Sequence, residues 1–225
     1  MMNLYKRKRL GYPTHLLDNC ENEEDMHNIV TRKGNDINFH SDVTRRSIFK
    51  LIEYIKEVDD ELSDIEQHYR SEEPMNYNIY IHINSNGGDV FSTLSVIDVI
   101  LQTKHPCISV IEGTAASAAT IISIVCAKRY INKHSQMLIH QLSSGFLGKF
   151  NEITDEYNNL EKLMTMLTNI YKKHSKLKKN KDLNRMLNHD IWLSSTEALK
   201  YGLADEIRNN KYRKNKKRKL TKLNI

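Results

Sequence analysis

The middle of the chain repeats one pattern, in which an alternating apolar segment is followed by a turn of small residues and then by apolar residues at helical spacing. Residues 79–83 alternate isoleucine with polar residues, as a strand does, and Asn-Gly-Gly at 86–88 ends this segment before helical spacing over 94–101. A second copy runs through residues 107–128. Because strands that alternate with helices form mostly parallel sheets, the pattern predicts an α/β fold.

Two further elements are predicted before this repeat. Residues 36–39 alternate like a short strand, and Asp42 is expected to cap a helix whose apolar face lies within 48–55. The polar and acidic stretch 59–76 contains a proline and therefore predicts a long surface connection.

The remaining elements follow the repeat. Residues 137–141 read as an apolar strand, and 150–174 as a long amphipathic helix that projects or packs against neighbours. A last helix is expected to begin at Ser194, which can form a capping box with Glu197, and to end at Gly202.

Composition restricts the class of protein. A chain of 225 residues with 39% hydrophobic content is long enough to bury one substantial core, so one domain is expected. The longest strongly apolar stretch, 118–127, is too short to span a membrane. The three cysteines lack Cys-x-x-Cys spacing and favour neither a disulfide framework nor a zinc site, which predicts a reducing intracellular compartment such as the cytoplasm.

The formal net charge of +6 is concentrated at one end of the chain. Residues 208–222 hold nine lysine or arginine residues and no acid, whereas the rest has 25 basic and 28 acidic residues. Such a run is typical of a solvated, disordered terminus, and nucleic-acid binding is expected only through it. We divide the chain into a flexible N-terminal extension (1–34), a folded domain (35–207) and a basic C-terminal tail (208–225).

Three polar residues are candidates for acyl-transfer chemistry, which needs a nucleophile, a base, a group that orients the base and donors for an oxyanion. Ser117 opens an apolar helix, His140 ends an apolar strand, and Asp190 enters an apolar segment. Each also fits a structural role, Ser117 as a helix cap, His140 as a core histidine and Asp190 as part of a surface turn.

Four ordered segments together resemble the Clp protease proteolytic subunit family. They are similar to the family's Asn-Ser-Pro-Gly-Gly turn, its Gly-x-Ala-Ala-Ser element, its Met-Ile-His-Gln strand and its segment around the aspartate. The matching residues are Asn84-Ser85-Asn86-Gly87-Gly88, Gly113-Thr114-Ala115-Ala116-Ser117, Leu138-Ile139-His140-Gln141, and Asp190 through Ser194 with Glu197-Ala198 and Tyr201-Gly202-Leu203. The resemblance covers about 36–207 and implies the Clp/crotonase-like α/β fold of repeated β-β-α units with a long projecting helix.

The resemblance implies a role for each candidate. Ser117 is expected to be the nucleophile, His140 the general base and Asp190 the carboxylate that orients the histidine. This chain order differs from those of the common serine hydrolase folds.

The resemblance also implies the contacts to substrate. The amides of Gly88 and Ala118 are expected to form the oxyanion hole, and Gly87, Gly88, Gln141 and Leu142 are expected to bind the substrate.

The chain departs from the family pattern around the substrate groove. Asn86 and Leu142 replace prolines and Ala118 replaces a bulky residue, which reshapes the groove without removing a catalytic group. His189 replaces an arginine that helps to pair rings in the family, so the sequence does not decide between a single ring and two stacked rings.

The implied function is that of a serine endopeptidase that hydrolyses unfolded polypeptides inside a ring-shaped heptamer or tetradecamer. Neither a cofactor nor a metal is implied. The chain has no Walker A sequence, so any ATP dependence is expected to come from a partner of the AAA+ unfoldase class. A catalytically inactive scaffold subunit and a crotonase-like enzyme that binds acyl-CoA remain alternatives.

Overall fold

The structure is a computed structural model that describes residues 29–68, 77–178 and 180–208. Its elements in chain order are β1 (Ile29–Lys33), β2 (Asp36–His40), α1 (Arg45–His68), β3 (Ile79–Ser85), α2 (Val90–Gln102), β4 (Cys107–Ala116), α3 (Ala118–Ile124), β5 (Lys128–Asn132), β6 (Gln136–Ile139), α4 (Phe150–His174), α5 (Asn180–Leu187), β7 (Ile191–Ser194), α6 (Ser195–Tyr201) and β8 (Glu206–Arg208).

The strands form one mixed sheet whose main row has the order β1-β2-β3-β4-β5-β8. β1 is antiparallel to β2, and the other neighbours in this row are parallel. The long strand β4 pairs with two different strands on the same side: its residues 108–111 pair with β5, and its residues 114–116 pair with β6. Strand β6 is in turn antiparallel to β7. The predicted α/β fold of the Clp/crotonase type is confirmed.

Burial on the sheet explains why these segments fold as they do. Ile79, Ile81 and Ile83 of β3 are fully buried, while the residues between them are at least partly exposed. Burying one such side chain contributes about 2 to 3 kcal/mol. Helix α3 is buried along its whole length; five of its seven residues are apolar, and the other two are Thr120 and Ser123.

Helix α4 has the predicted bounds and projects from the fold. Its buried residues, Leu167 and Tyr171, both lie in the C-terminal half. In the N-terminal half, Phe150 is 82% exposed and Tyr157 is 65% exposed. The capping box of α6 is also confirmed, with Ser194 as the N-cap residue.

The beginning and end of α1 differ from the prediction. Thr44 rather than Asp42 caps the helix, since Thr44 and Ser47 exchange hydrogen bonds between amide and hydroxyl at 3.0 and 3.1 Å. The helix then continues to His68 instead of giving way to a surface connection near residue 59. Its extra turns are stabilised because Leu62 is buried in the core.

Two other segments were misjudged from the sequence. The predicted helix 117–128 is shorter in the structure: it ends at Ile124 with Val125 as its C-cap, and Lys128 already belongs to β5. Residues 29–33, assigned to the flexible extension, form a strand that pairs with β2. Residues 1–28 of that extension and 209–225 of the tail lie outside the described residues. In the described ranges no helix is long and apolar enough to cross a membrane.

Candidate active site

A small cavity of about 70 Å³ opens where β4 ends. Of the residues proposed from the sequence as functional, those that line it are Gly88, Ser117, Ala118, His140, Gln141 and Leu142. Gly87 lies against Ser117 behind this lining, and Asp190 does not line the cavity. The fold therefore brings most of the predicted site together at one place.

Ser117 has an unusual backbone conformation. With φ 52° and ψ −123°, it is the only non-glycine residue with positive φ in the described part of the chain. Such conformations persist only where neighbouring contacts hold them, and they are concentrated at active sites. Although Ser117 occupies the N-cap position of α3, its side chain makes no capping hydrogen bond, so its hydroxyl does not serve as a helix cap.

The peptide groups on both sides of Ser117 are held by hydrogen bonds. Its amide donates to the Leu138 carbonyl at 2.8 Å. Its carbonyl accepts from the Thr120 amide at 3.0 Å and from Thr120 Oγ1 at 2.6 Å. Strand β6 and helix α3 thus fix the backbone of the candidate nucleophile.

The glycine turn after β3 packs directly against this backbone. Gly87 has φ +93°, and a Cβ on it would lie 2.6 Å from the Ala116 carbonyl oxygen and 2.8 Å from Ser117 Cβ. Real Cβ atoms do not approach other atoms so closely, and this φ is unfavourable for residues with a side chain. The close contact therefore requires glycine.

A bridge to Val43 orients the next residue, Gly88. The Val43 amide donates to the Gly87 carbonyl at 2.7 Å, and the Asp89 amide donates to the Val43 carbonyl at 2.8 Å. Since both bonds use the neighbours of Gly88, the Gly88 amide points away from Val43. Ala118 begins α3, and its amide has no acceptor within the helix. Two backbone donors are thus available at the cavity.

The ladder between β6 and β7 brings His140 and Asp190 to neighbouring positions. Its last pair joins Ile139 to Ile191, and His140 and Asp190 are the next residues of the two strands. The ladder itself stops before these two residues, since the Gln141 amide donates to the Leu187 carbonyl at 2.9 Å and the Ile191 amide to the His189 carbonyl at 2.9 Å. His140 is half-buried and lines the cavity, whereas Asp190 is exposed to solvent.

No hydrogen bond joins the side chains of Ser117, His140 and Asp190 within the residues that the structure describes. The three groups are close in the fold but are not aligned for proton transfer. In free enzymes such hydrogen bonds are often long and tighten only when substrate binds.

Several other side chains of the cavity wall are apolar. Met164, Leu167 and Leu187 contribute to it. The Leu142 amide donates to Met164 Sδ at 3.2 Å, which ties the segment after β6 to α4. In the described ranges no cluster of His, Cys, Asp or Glu side chains is suited to hold a metal ion.

Two buried hydroxyls beside Ser117 were missed by the sequence analysis. Tyr171 lines the cavity, and its hydroxyl oxygen is 2.5 Å from Thr120 Oγ1. Burial raises the pKa of the Tyr171 phenol, which therefore keeps its proton at neutral pH. Both residues occupy core positions of their helices, where a hydroxyl requires a partner, and that requirement is the signal that could have identified them.

Comparisons with known proteins show which family the chain is similar to. The model of the Clp protease family matches residues 36–211. An ATP-dependent Clp protease proteolytic subunit of Deinococcus radiodurans is 34% identical over 131 residues, which are 57% of this chain and 64% of that protein, less than two thirds of its length. The subunit of that name from Chlorella vulgaris is 31% identical over 157 residues, 68% of this chain and 78% of that protein.

A third relative is the ATP-dependent Clp protease proteolytic subunit 2 of Borreliella burgdorferi, 33% identical over 136 residues, which are 60% of this chain and 68% of that protein. The family match spans more than half of the chain and contains every residue proposed for the site. This chain belongs to the Clp protease family.

Proposed function

We propose that the chain is the proteolytic subunit of a chambered serine endopeptidase that hydrolyses unfolded polypeptides through an acyl-enzyme on Ser117. His140 acts as the general base, and Asp190 orients it and stabilises the imidazolium. The amides of Gly88 and Ala118 form the oxyanion hole. Gly87, Gly88, Gln141 and Leu142 are proposed to bind the substrate backbone.

In the proposed reaction the Ser117 hydroxyl attacks the scissile carbonyl carbon while His140 accepts the hydroxyl proton. The developing oxyanion accepts hydrogen bonds from the amides of Gly88 and Ala118, which stabilise the transition state more than the substrate. The imidazolium then protonates the leaving amine. Water, activated by His140, hydrolyses the acyl-enzyme and restores Ser117.

The observation that carries the proposal is the conformation of Ser117. A serine that only capped α3 would adopt an unstrained backbone and bond to an amide of the first helical turn. Ser117 does neither, since its φ is 52° and its side chain makes no capping bond. Its position beside two backbone donors and His140 supports a nucleophilic role.

An inactive scaffold subunit is the second candidate, and the exposure of Asp190 favours it. Under the proposed function, the side chains of His140 and Asp190 meet when substrate binds, and the proposal is supported because both residues adjoin the last pair of the β6–β7 ladder, Ile139 and Ile191. Under the scaffold function, the pair stays apart when substrate is present.

We propose that the subunits assemble into a heptameric ring or into two stacked rings. Exposed apolar side chains on α4 and on the segment before it support this proposal: Phe146, Leu147, Phe150, Ile153 and Tyr157. A cluster of this kind is typical of an interaction surface. Because the relatives are named ATP-dependent, we further propose an AAA+ unfoldase as partner.

Labelling with a fluorophosphonate tests the chemistry, because this reagent reacts with serines activated by a base. The wild-type chain should be labelled on Ser117, as located by mass spectrometry of peptides, and Ser117→Ala and His140→Ala should not be labelled. Absence of labelling in a correctly assembled wild-type protein would favour the scaffold.

Substrate enclosure is tested by comparing two substrates. A short unstructured peptide should be cleaved by the isolated protein, whereas a stable folded protein should remain intact, because it cannot reach an interior chamber. Rapid degradation of the folded protein without an ATPase would contradict the chambered arrangement.

A further inference from the structure

A continuous chain of hydrogen bonds lies behind the cavity. Tyr171 on α4 contacts Thr120 on α3, with 2.5 Å between the two hydroxyl oxygens. Thr120 Oγ1 donates in turn to the Ser117 carbonyl at 2.6 Å. Thr120 is 0% exposed and Tyr171 is 2% exposed, so bulk water has no access to compete for these bonds.

The direction of each donor follows from the number of protons. A threonine hydroxyl has one proton, and Thr120 uses it for the Ser117 carbonyl. The Tyr171 hydroxyl must therefore be the donor to Thr120. The two bonds point the same way, from α4 toward Ser117, and aligned hydrogen bonds strengthen one another.

The last acceptor of this chain is part of the proposed oxyanion hole. The Ser117 carbonyl and the Ala118 amide belong to one planar, trans peptide group, in which the C=O and N–H bonds point in opposite directions. Fixing the carbonyl therefore fixes the direction of the Ala118 N–H. Ala118 lines the cavity, so this direction decides whether the amide faces a bound ligand.

This peptide group needs support because Ser117 is strained. A residue with a side chain at φ 52° and ψ −123° is unfavourable. Rotation of the peptide between Ser117 and Ala118 would relax the backbone and turn the amide away from the cavity. The hydrogen bonds from Thr120 oppose that rotation.

We propose that Thr120 and Tyr171 are positioning residues that hold the Ser117–Ala118 peptide with its amide directed into the cavity. The inference rests on the proposed function, since it concerns the oxyanion hole of the same reaction. It also links the buried end of α4 to the reacting centre, because Tyr171 lies on that helix.

Two substitutions remove one hydroxyl each while keeping the size of the side chain, Thr120→Val and Tyr171→Phe. In the full chain, each should lower kcat for a fluorogenic peptide with leucine before the cleaved bond by about tenfold, with KM within about twofold, because an oxyanion donor acts in the transition state. Affinity for a peptide boronate, which forms a tetrahedral adduct with the serine, should fall by a similar factor.

Two further variants distinguish positioning from packing. Thr120→Ser keeps the hydroxyl and should retain kcat within about threefold of wild type. The double variant Thr120→Val with Tyr171→Phe should be no worse than Thr120→Val alone, because the hydroxyls act in series. The concentration of active sites is measured by titration with the boronate, and kcat is calculated from that concentration. Misfolded protein therefore does not lower the measured kcat.

A matched control lies on the exposed face of α4. Thr165→Val also removes a threonine hydroxyl, one that donates to the Glu161 carbonyl at 2.9 Å, so it should leave kcat and boronate affinity unchanged. A wild-type protein that binds no boronate overturns the proposed function and this inference together. A reactive wild type with unaffected Thr120→Val and Tyr171→Phe variants, or with losses that also appear in Thr120→Ser, overturns the inference alone.

Discussion

The amide of Ser117 donates a 2.8 Å hydrogen bond to the carbonyl of Leu138, two residues before His140. The contact continues the parallel pairing of β4 with β6. The candidate nucleophile and the candidate base therefore stand on adjacent strand ends, whose separation is set by backbone hydrogen bonds. Side-chain substitutions at these positions should leave that separation intact, so their effects on activity can be interpreted as chemistry.

The first prediction concerns the triad. Ser117→Ala and His140→Ala should each lower the rate of peptide hydrolysis by roughly 10⁴-fold or more. The two groups act in the same catalytic step, so the loss of either one prevents that step. Asp190→Ala should be as harmful or somewhat less, because the carboxylate does not take the transferred proton. The double variant Ser117→Ala with Asp190→Ala should be no worse than Ser117→Ala alone. Steady-state hydrolysis, with assembly checked for each variant, measures this.

The control for Asp190 is Asp182, an exposed aspartate in the first turn of α5. Asp182→Ala should retain full activity. Asp205 is less suitable as a control, because Arg129 Nη2 forms an ion pair with it at 2.6 Å. Full activity in an assembled Asp190→Ala protein would remove Asp190 from the triad.

The glycine turn gives a second prediction. Gly87→Ala would place a methyl group 2.6 Å from the Ala116 carbonyl oxygen at a φ of +93°. Backbone strain of this kind costs about 1 to 3 kcal/mol, and relief of the clash would displace Ser117. We expect a lower melting temperature and slower fluorophosphonate labelling. Gly145→Ala, which meets no atom within 4 Å, is the control and should behave as wild type.

A third prediction concerns assembly through the exposed part of α4. Leu147 is 97% exposed and Phe150 is 82% exposed. The double variant Leu147→Asp with Phe150→Asp should reduce the assembled mass, because assembly would bury the two new charges at the interface. Asn151→Asp adds charge on the same helix and should have a smaller effect. Light scattering across a wide concentration range measures the mass, and a wild type that stays monomeric throughout would contradict the chambered enzyme.

The fourth prediction is a pH dependence of stability. Burial disfavours the charged form of Asp205, but hydrogen bonds and charge from Arg129 outweigh it, so the net pKa of Asp205 is lowered. The unfolded pKa is about 3.9, so the stabilisation is present above that pH and is lost as the pH falls through the lower folded-state pKa.

Asp205→Asn should therefore lower the urea midpoint at about pH 7, and the gap from wild type should narrow below about pH 4. Asp182→Asn, at an exposed position, should show no such gap. A difference between Asp205→Asn and wild type that stays constant from neutral to acidic pH would show that the lost contact is not the ion pair.

Local patterns predicted the elements that depend on spacing alone. Short runs of consecutive residues are enough to specify the alternation of β3, the bounds of α4 and the cap of α6 at Ser194. Ser117 and His140 were given their roles through the resemblance to a family, because spacing alone left a helix cap and a core histidine open; both residues line the cavity.

Other features depend on contacts between distant segments, and the sequence did not reveal them. The end of α1 depends on Leu62 reaching the core, and β1 depends on its pairing with β2. Ser117, with its positive φ, is held in part by a hydrogen bond to Leu138 in another strand. The exposure of Asp190 follows from its place beyond the end of the β6–β7 ladder, which no local pattern specifies.

The bridge between Val43 and Gly88 has a consequence for dividing the protein into fragments. A fragment that begins at α1 would contain every side chain of the proposed triad but would lack Val43, whose amide and carbonyl hold the turn around Gly88. Such a fragment should regain activity when a separate peptide comprising β1, β2 and Val43 docks beside β3, where β2 pairs in parallel in the intact chain. Complementation of this kind would make the short peptide an external switch for the oxyanion hole.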